Sequence, residues 1–169
     1  VVEIEPNRDH RGYFARTWCT DEFVEEGLPR TLVQASLSHN DKRGTLRGMH
    51  LQLPPSQEGK LVRCIRGRIF DVIVDLRPES PTYMRHFGIE LSARTHNALY
   101  IPPTVLHGFQ TLEDDAEVFY QMTDFYAPGL TFGARWNDPA FGIEWPIEDG
   151  VVMMERDATY PDFDRGDYE

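Results

Sequence analysis

"KLVRCIRGRIFDVIVDLR", residues 60–77, is the stretch whose reading decides the fold. It divides at Arg66-Gly67 into two extended segments joined by what reads as a tight turn. In the second segment Phe70, Val72, Val74 and Leu76 share one face, while Asp71 and Asp75 share the other with Ile69 and Ile73. Outward from there the same texture continues. "HFGIELS" (86–92), "NALYIPP" (97–103), "HGFQTL" (107–112) and "AEVFYQMTDFY" (116–126) read as strands, separated by "SART", "PPTVL" and "EDDAE". The chain's 12 prolines and 13 glycines punctuate these runs at short intervals, as sandwiches and barrels require. Only "TDEFVEEG" (20–27) looks helical, with Thr20 placed to cap it and Gly27 to stop it. The fold class is therefore all-β, a barrel or double-sheet jelly roll with minor short helices.

At 169 residues the chain suits one domain, expected to span 1–169. No apolar run reaches the roughly 18 residues a membrane helix needs, and the first residues lack a signal-peptide pattern. The sequence begins without methionine in what reads as a strand, so a short leader is expected to precede it. Cys19 and Cys64 are too few for a disulfide framework and read as reduced thiols of a cytoplasmic protein. A formal net charge of −11 argues against nucleic acid as a partner. Residues 42–68 run the other way: Lys42, Arg43, Arg47, Lys60, Arg63, Arg66 and Arg68 face a single acid, Glu58. A basic strip in an acidic protein suggests a phosphate or diphosphate pocket, the alternative being solvated charges at strand edges.

The residues able to carry chemistry are His50, Lys60, His107, Tyr120 and Asp157. In "TLRGMHLQL" (45–53) His50 is followed two residues later by Gln52, where a metal-binding cupin would have a second histidine. Glu58 comes later than that metal pattern wants, and an amide in place of imidazole weakens a site for Zn, Fe or Ni. Gln52 thus marks a departure from metal chemistry. His50 then becomes a candidate general base, since imidazole takes a proton near neutral pH when a partner orients it. Asp157 in "MERDATYPDF" is one possible partner among many acids, the plainer reading being a turn aspartate. Tyr120 is either core packing or a general acid; Lys60 is either a snorkelling surface lysine or a group that offsets an anionic intermediate. His10, His39, His86 and His96 lie in polar, loop-like contexts and receive no role. Dinucleotide, Walker and Gly-x-Ser-x-Gly patterns are absent.

Six ordered segments, "DHRGYFARTW", "RGTLRGMHLQLPP", "KLVRCIRGRIFDVIVDLRPESPT", "YIPPTVLHGFQTL", "FYQMTDFYAPG" and "ARWNDPAFGIEWP", resemble the dTDP-4-dehydrorhamnose 3,5-epimerases over nearly the whole chain. The resemblance implies a cupin-type jelly roll, usually a homodimer, working without metal or organic cofactor on a nucleotide sugar. It implies that His50 is the base, Asp157 its partner, Tyr120 the acid on the opposite face, and Lys60 the group near the sugar oxyanion. Arg47 and His107 match diphosphate and sugar contacts; Arg11, Phe14 and Gln34 match nucleotide-binding positions. Met49, Arg16, Ser36, Thr104 and Leu106 depart from the usual pattern, which leaves open the nucleotide, the sugar, and whether C3, C5 or both are inverted. Two other classes stay in view: a metal-dependent cupin, and a non-catalytic cupin that binds a sugar nucleotide or another small anion.

Overall fold

A computed structural model describes residues 1–167 of the chain. Eleven strands are present among them: β1 (Asn7–Asp9), β2 (Gly12–Phe14), β3 (Gln34–Asn40), β4 (Leu46–Gln52), β5 (Lys60–Arg66), β6 (Arg68–Asp75), β7 (His86–Ser92), β8 (Ala98–Ile101), β9 (Val105–Thr111), β10 (Ala116–Met122) and β11 (Thr131–Gly133). They form a small hairpin β1-β2, a four-stranded sheet in the order β3-β10-β5-β8, and a five-stranded sheet in the order β11-β4-β9-β6-β7. All strand pairings are antiparallel. Between β3 and β10 the chain passes from one large sheet to the other at every connection except the β6-β7 hairpin. That is a jelly roll.

The turn at Gly67 differs from a hairpin. β5 pairs with β10 and β8, whereas β6 pairs with β7 and β9, so the two segments lie in opposite sheets. A single intervening residue cannot close an antiparallel ladder, which needs at least two. Gly67 instead takes φ +74°, a left-handed conformation natural to glycine, and turns the chain out of the sheet plane. The faces of β6 are as the alternation predicts, but both are covered. Ile69 and Ile73 join Val62, Cys64, Leu99, Val105, Phe109 and Val118 in the cluster between the sheets. Phe70, Val72, Val74 and Leu76 meet Leu46, Met49, Leu51, Phe141 and Trp145 on the outer side of the five-stranded sheet, beneath the segment that follows β11. Each fully buried side chain of this size contributes about 1.5–3 kcal/mol.

The outer side of the four-stranded sheet carries α1 (Thr20–Glu25), whose Phe23 packs with Leu61 and Ala98. Gly27 stops this helix at φ +74° as expected, but the N-cap is Cys19, and the Thr20 hydroxyl donates to the Arg30 carbonyl instead. The beginning of the chain is not a regular strand; Val2 makes one isolated bridge to Ala98. β10 ends at Met122, earlier than its apolar run, because Thr123 and Asp124 turn to bond the backbone of residues 57–59. His39 and His86 stand in strands rather than loops. A second short helix, α2 (Glu155–Ala158), follows late in the chain. Among the described residues no helix is long and apolar enough to cross a membrane.

Candidate active site

A cleft of about 500 Å³ receives Arg47, His50 and His107 from the five-stranded sheet, Lys60 and Tyr120 from the four-stranded sheet, and Asp157 from α2. The six come from five separate elements. A regular strand turns residues three apart to opposite faces, yet Arg47 and His50 both line this cleft. The register explains it: Arg47 stands opposite Phe109 and His50 opposite His107, so three steps on β4 match two on β9. The extra residue is a β-bulge. It is admitted by two glycines in contact, since a Cβ on Gly48 would lie 2.5 Å from the Gly108 Cα, and Gly48 holds φ +130°.

Asp157 is 2 % exposed, and its charge is satisfied on all sides. Oδ1 lies 2.9 Å from His50 Nε2 and accepts from Arg156 Nε at 3.2 Å, while Oδ2 accepts from the Gly48 amide at 3.4 Å. Burial pushes this carboxyl up, but the His50 hydrogen bond and charge, the Gly48 amide and Arg156 outweigh it and hold its pKa below the ordinary value. An ionised Asp157 accepts a hydrogen bond from Nε2–H of the imidazole, which leaves the lone pair of a neutral His50 on Nδ1. The Arg156 Nη2 also approaches His50 Nε2, at 3.4 Å.

The neighbouring histidine repeats the arrangement. His107 Nε2 lies 2.7 Å from Oδ1 of Asp71, which is fully buried, and the other Asp71 oxygen has no hydrogen-bond partner among the described residues. Tyr120 packs edge-on to His107 with ring centroids 6.2 Å apart. Burial first, and then the Asp71 charge, push the Tyr120 hydroxyl far above its usual range, so it is a neutral O–H donor at any physiological pH. Arg47 is steadied by Asn40, whose Oδ1 accepts from Nε at 2.8 Å, and by the His39 carbonyl. Lys60 lies 3.2 Å from the Glu58 carboxylate.

Three further predicted residues lie elsewhere. Arg11 and Phe14 belong to the exposed β1-β2 hairpin, where Arg11 pairs with Asp9 and both line a separate small hollow with Asn7 and Tyr13. Gln34 opens β3 and accepts the Tyr126 amide at 2.7 Å on its side-chain oxygen, fixing the chain beyond β10. Gln52 has a similar duty: its side-chain oxygen accepts the Ala127 amide at 2.7 Å, so this position anchors the approach to β11. No group of three or more His, Cys, Asp or Glu side chains placed to hold a metal exists among the described residues.

Asp71, Arg156 and Glu58 escaped prediction. Asp71 shares the face of Ile69 and Ile73, so an acid on an interior-facing strand position was a usable signal. Glu58 precedes Lys60 by two residues, the spacing that puts side chains on one side of an extended segment. Arg156 gave no signal, since adjacent helical residues do not ordinarily face each other.

Comparison with known proteins agrees with this fold. A family model described as dTDP-4-dehydrorhamnose 3,5-epimerase matches residues 1–165. A dTDP-4-dehydrorhamnose 3,5-epimerase of Methanothermobacter thermautotrophicus is 43% identical over 162 residues, 95% of this chain and 86% of its own. The crystal structure of the Elizabethkingia anophelis enzyme of that name superimposes with a TM-score of 0.92 at 36% identity, covering 95% of this chain and 88% of that one. A Legionella pneumophila dTDP-6-deoxy-D-glucose 3,5-epimerase, crystallised with dTDP-4-keto-L-rhamnose, superimposes with a TM-score of 0.86 at 34% identity over 92% of this chain and 82% of its own. With the fold, the length of the match and the identity in agreement, the chain belongs to the dTDP-4-dehydrorhamnose 3,5-epimerase family.

Proposed function

We propose that this enzyme inverts C3, C5 or both of a dTDP-linked 4-keto-6-deoxyhexose by general acid–base proton transfer, with His50 as base and Tyr120 as acid. One observation carries the reading: the two groups reach the same cleft from opposite sheets, β4 and β10. Inversion at carbon needs a proton removed from one face and returned to the other, and two facing walls supply that. The keto group at C4 acidifies the hydrogens on both neighbouring carbons. His50 Nδ1 takes one of them, the C–H electron pair moves into an enolate, and the Lys60 ammonium offsets the charge on its oxygen. Tyr120 then donates its proton to the carbon from the other side. Proton return to Tyr120 and loss from His50 complete the cycle. Asp157 stabilises the imidazolium formed in the first step.

Arg47 and His107 are the diphosphate and sugar contacts of this proposal, and both line the cleft. Arg11 and Phe14 fit a nucleotide-binding role through a homodimer, because their hairpin is exposed and apart from this chain's own cleft. Gln34 would contribute by holding the Tyr126 segment near the nucleotide end. We take the chain as one epimerase domain working in the cytoplasm, with its two cysteines unpaired.

The test is incubation of metal-stripped protein with dTDP-4-keto-6-deoxyglucose in heavy water, followed by proton NMR. Deuterium is expected at C3, C5 or both, and the pattern identifies the centres addressed. Binding of the nucleotide sugar without exchange at either carbon would overturn the catalytic reading in favour of a binding protein.

A further inference from the structure

We propose that Glu58 is a positioning residue for Lys60, holding its ammonium where the enolate oxygen forms; this rests on the epimerase reading above. The side chains of Lys60 and Glu58 are 18 % and 6 % exposed, so both charges are largely withdrawn from water. Withdrawing two charges from water is costly, and a close, well-fixed partner is what makes it tolerable. Among the described residues, Glu58 is the acid within ion-pairing distance of Lys60, at 3.2 Å.

The carboxylate is mounted on a braced segment. Ser56 Oγ accepts the Glu58 amide at 3.2 Å and donates to Asp124, which also takes the Gln57 amide at 2.9 Å. Thr123 Oγ1 accepts the Gly59 amide at 2.7 Å and donates to the Gln57 carbonyl at 2.9 Å. Gly59 passes so close to β8 that a Cβ there would lie 2.6 Å from the Tyr100 hydroxyl. Lys60 itself is paired on both sides, with Ile101 and Met122. The backbone amides from Gln57 to Gly59 are therefore held, and the remaining freedom lies in the two side chains, chiefly the lysine's four-carbon arm. One carboxylate at its tip limits that freedom. A donor already in place when charge develops is worth more to the transition state than one that must be gathered.

Two measurements test this. In wild-type protein labelled with 15N-lysine, a salt-bridged ammonium gives a slowly exchanging Nζ proton cross-peak, assigned by its absence from Lys60→Met. Glu58→Gln is expected to abolish it; an unchanged cross-peak would overturn the proposal, whatever the substrate proves to be. In turnover, Glu58→Gln is expected to lower kcat about tenfold with KM changed less than about threefold. In the Lys60→Met background the same substitution is expected to add no further loss. Equal losses in both backgrounds, or a loss confined to KM, would overturn it. Glu58→Asp, which keeps the charge on a shorter arm, is expected to retain more turnover than Glu58→Gln; the reverse order would also count against positioning by charge. A wild-type enzyme inactive on the sugar, but with a cross-peak that depends on Glu58, would overturn the catalytic role while the ion pair stands.

Discussion

His50 and His107 face each other directly across β4 and β9, and each commits its Nε2 to a different buried carboxylate, Asp157 and Asp71. The two dyads differ in surroundings. His50 keeps a quarter of its side chain exposed and borders Arg156, whereas His107 is 6 % exposed and lies against Tyr120. Only the first has the solvent contact a base needs to pass on the proton it has taken.

His50→Ala is expected to reduce turnover at least a hundredfold while the fold persists, in line with the roughly 10²–10⁴-fold that a positioned base contributes. Steady-state kinetics with a matched melting curve checks this. Residual activity above a few per cent would remove His50 from the base role.

Tyr120→Phe is expected to spare deuterium wash-in more than net inversion, because proton removal from the first face survives while delivery from the second does not. Equal loss of both, read from the same NMR time course, would speak against Tyr120 as the acid.

Asp157 carries a pH signature. Its carboxyl is held below its unfolded-state pKa by His50, Gly48 and Arg156 against the opposing pull of burial. The stability it contributes is therefore present above the unfolded value, near 3.9, and is lost as pH falls through the folded one. Melting temperatures followed downward from pH 6 are expected to fall more steeply for wild type than for Asp157→Asn; parallel curves would show that the dyad does not couple to folding.

Much of this architecture was legible beforehand. Alternation in β6 placed Ile69, Asp71 and Ile73 on a common face, and family motifs singled out the six residues that meet in the cleft. What alternation could not disclose was the role of Gly67, since a corner between sheets and a hairpin both call for glycine at a short break. Nor could it show Glu58 against Lys60 as a buried pair, because the segment between them is held by Thr123, just past β10, and by Tyr100 of β8, both distant in sequence. The helix cap went astray for a similar reason: Thr20 had a competing acceptor at Arg30 that only the folded chain supplies.

Cys64 is buried between the sheets, and burial chiefly pushes its thiol up to about 11. At pH 8 about one molecule in a thousand then carries the reactive thiolate. Titration with a chromogenic disulfide is expected to leave Cys64 unmodified in native protein and to reach it only in denaturant. Prompt native-state modification, located by mass spectrometry, would mean that the interior opens readily.

Gly48→Ala is expected to cost about 2–3 kcal/mol and lower the melting temperature by roughly 5–10 °C, because the new methyl would meet backbone atoms of His107 and Gly108 that cannot rotate away. A melting curve within about 2 °C of wild type would show that the bulge can relax at little cost.

The bulge at Gly48 gives β4 something like a reading frame. Before it, the odd-numbered Arg47 lines the cleft while Leu46 joins the outer core; after it, the even-numbered His50 lines the cleft, while Met49 and Leu51 take the outer core. The identity of the strand's working face is thus set by counting as well as by composition. Deleting Gly48 would remove no catalytic side chain, yet it would shift the frame for every residue on one side of the gap. The imidazole and the hydrophobic anchors would then compete for the wrong sides of the sheet.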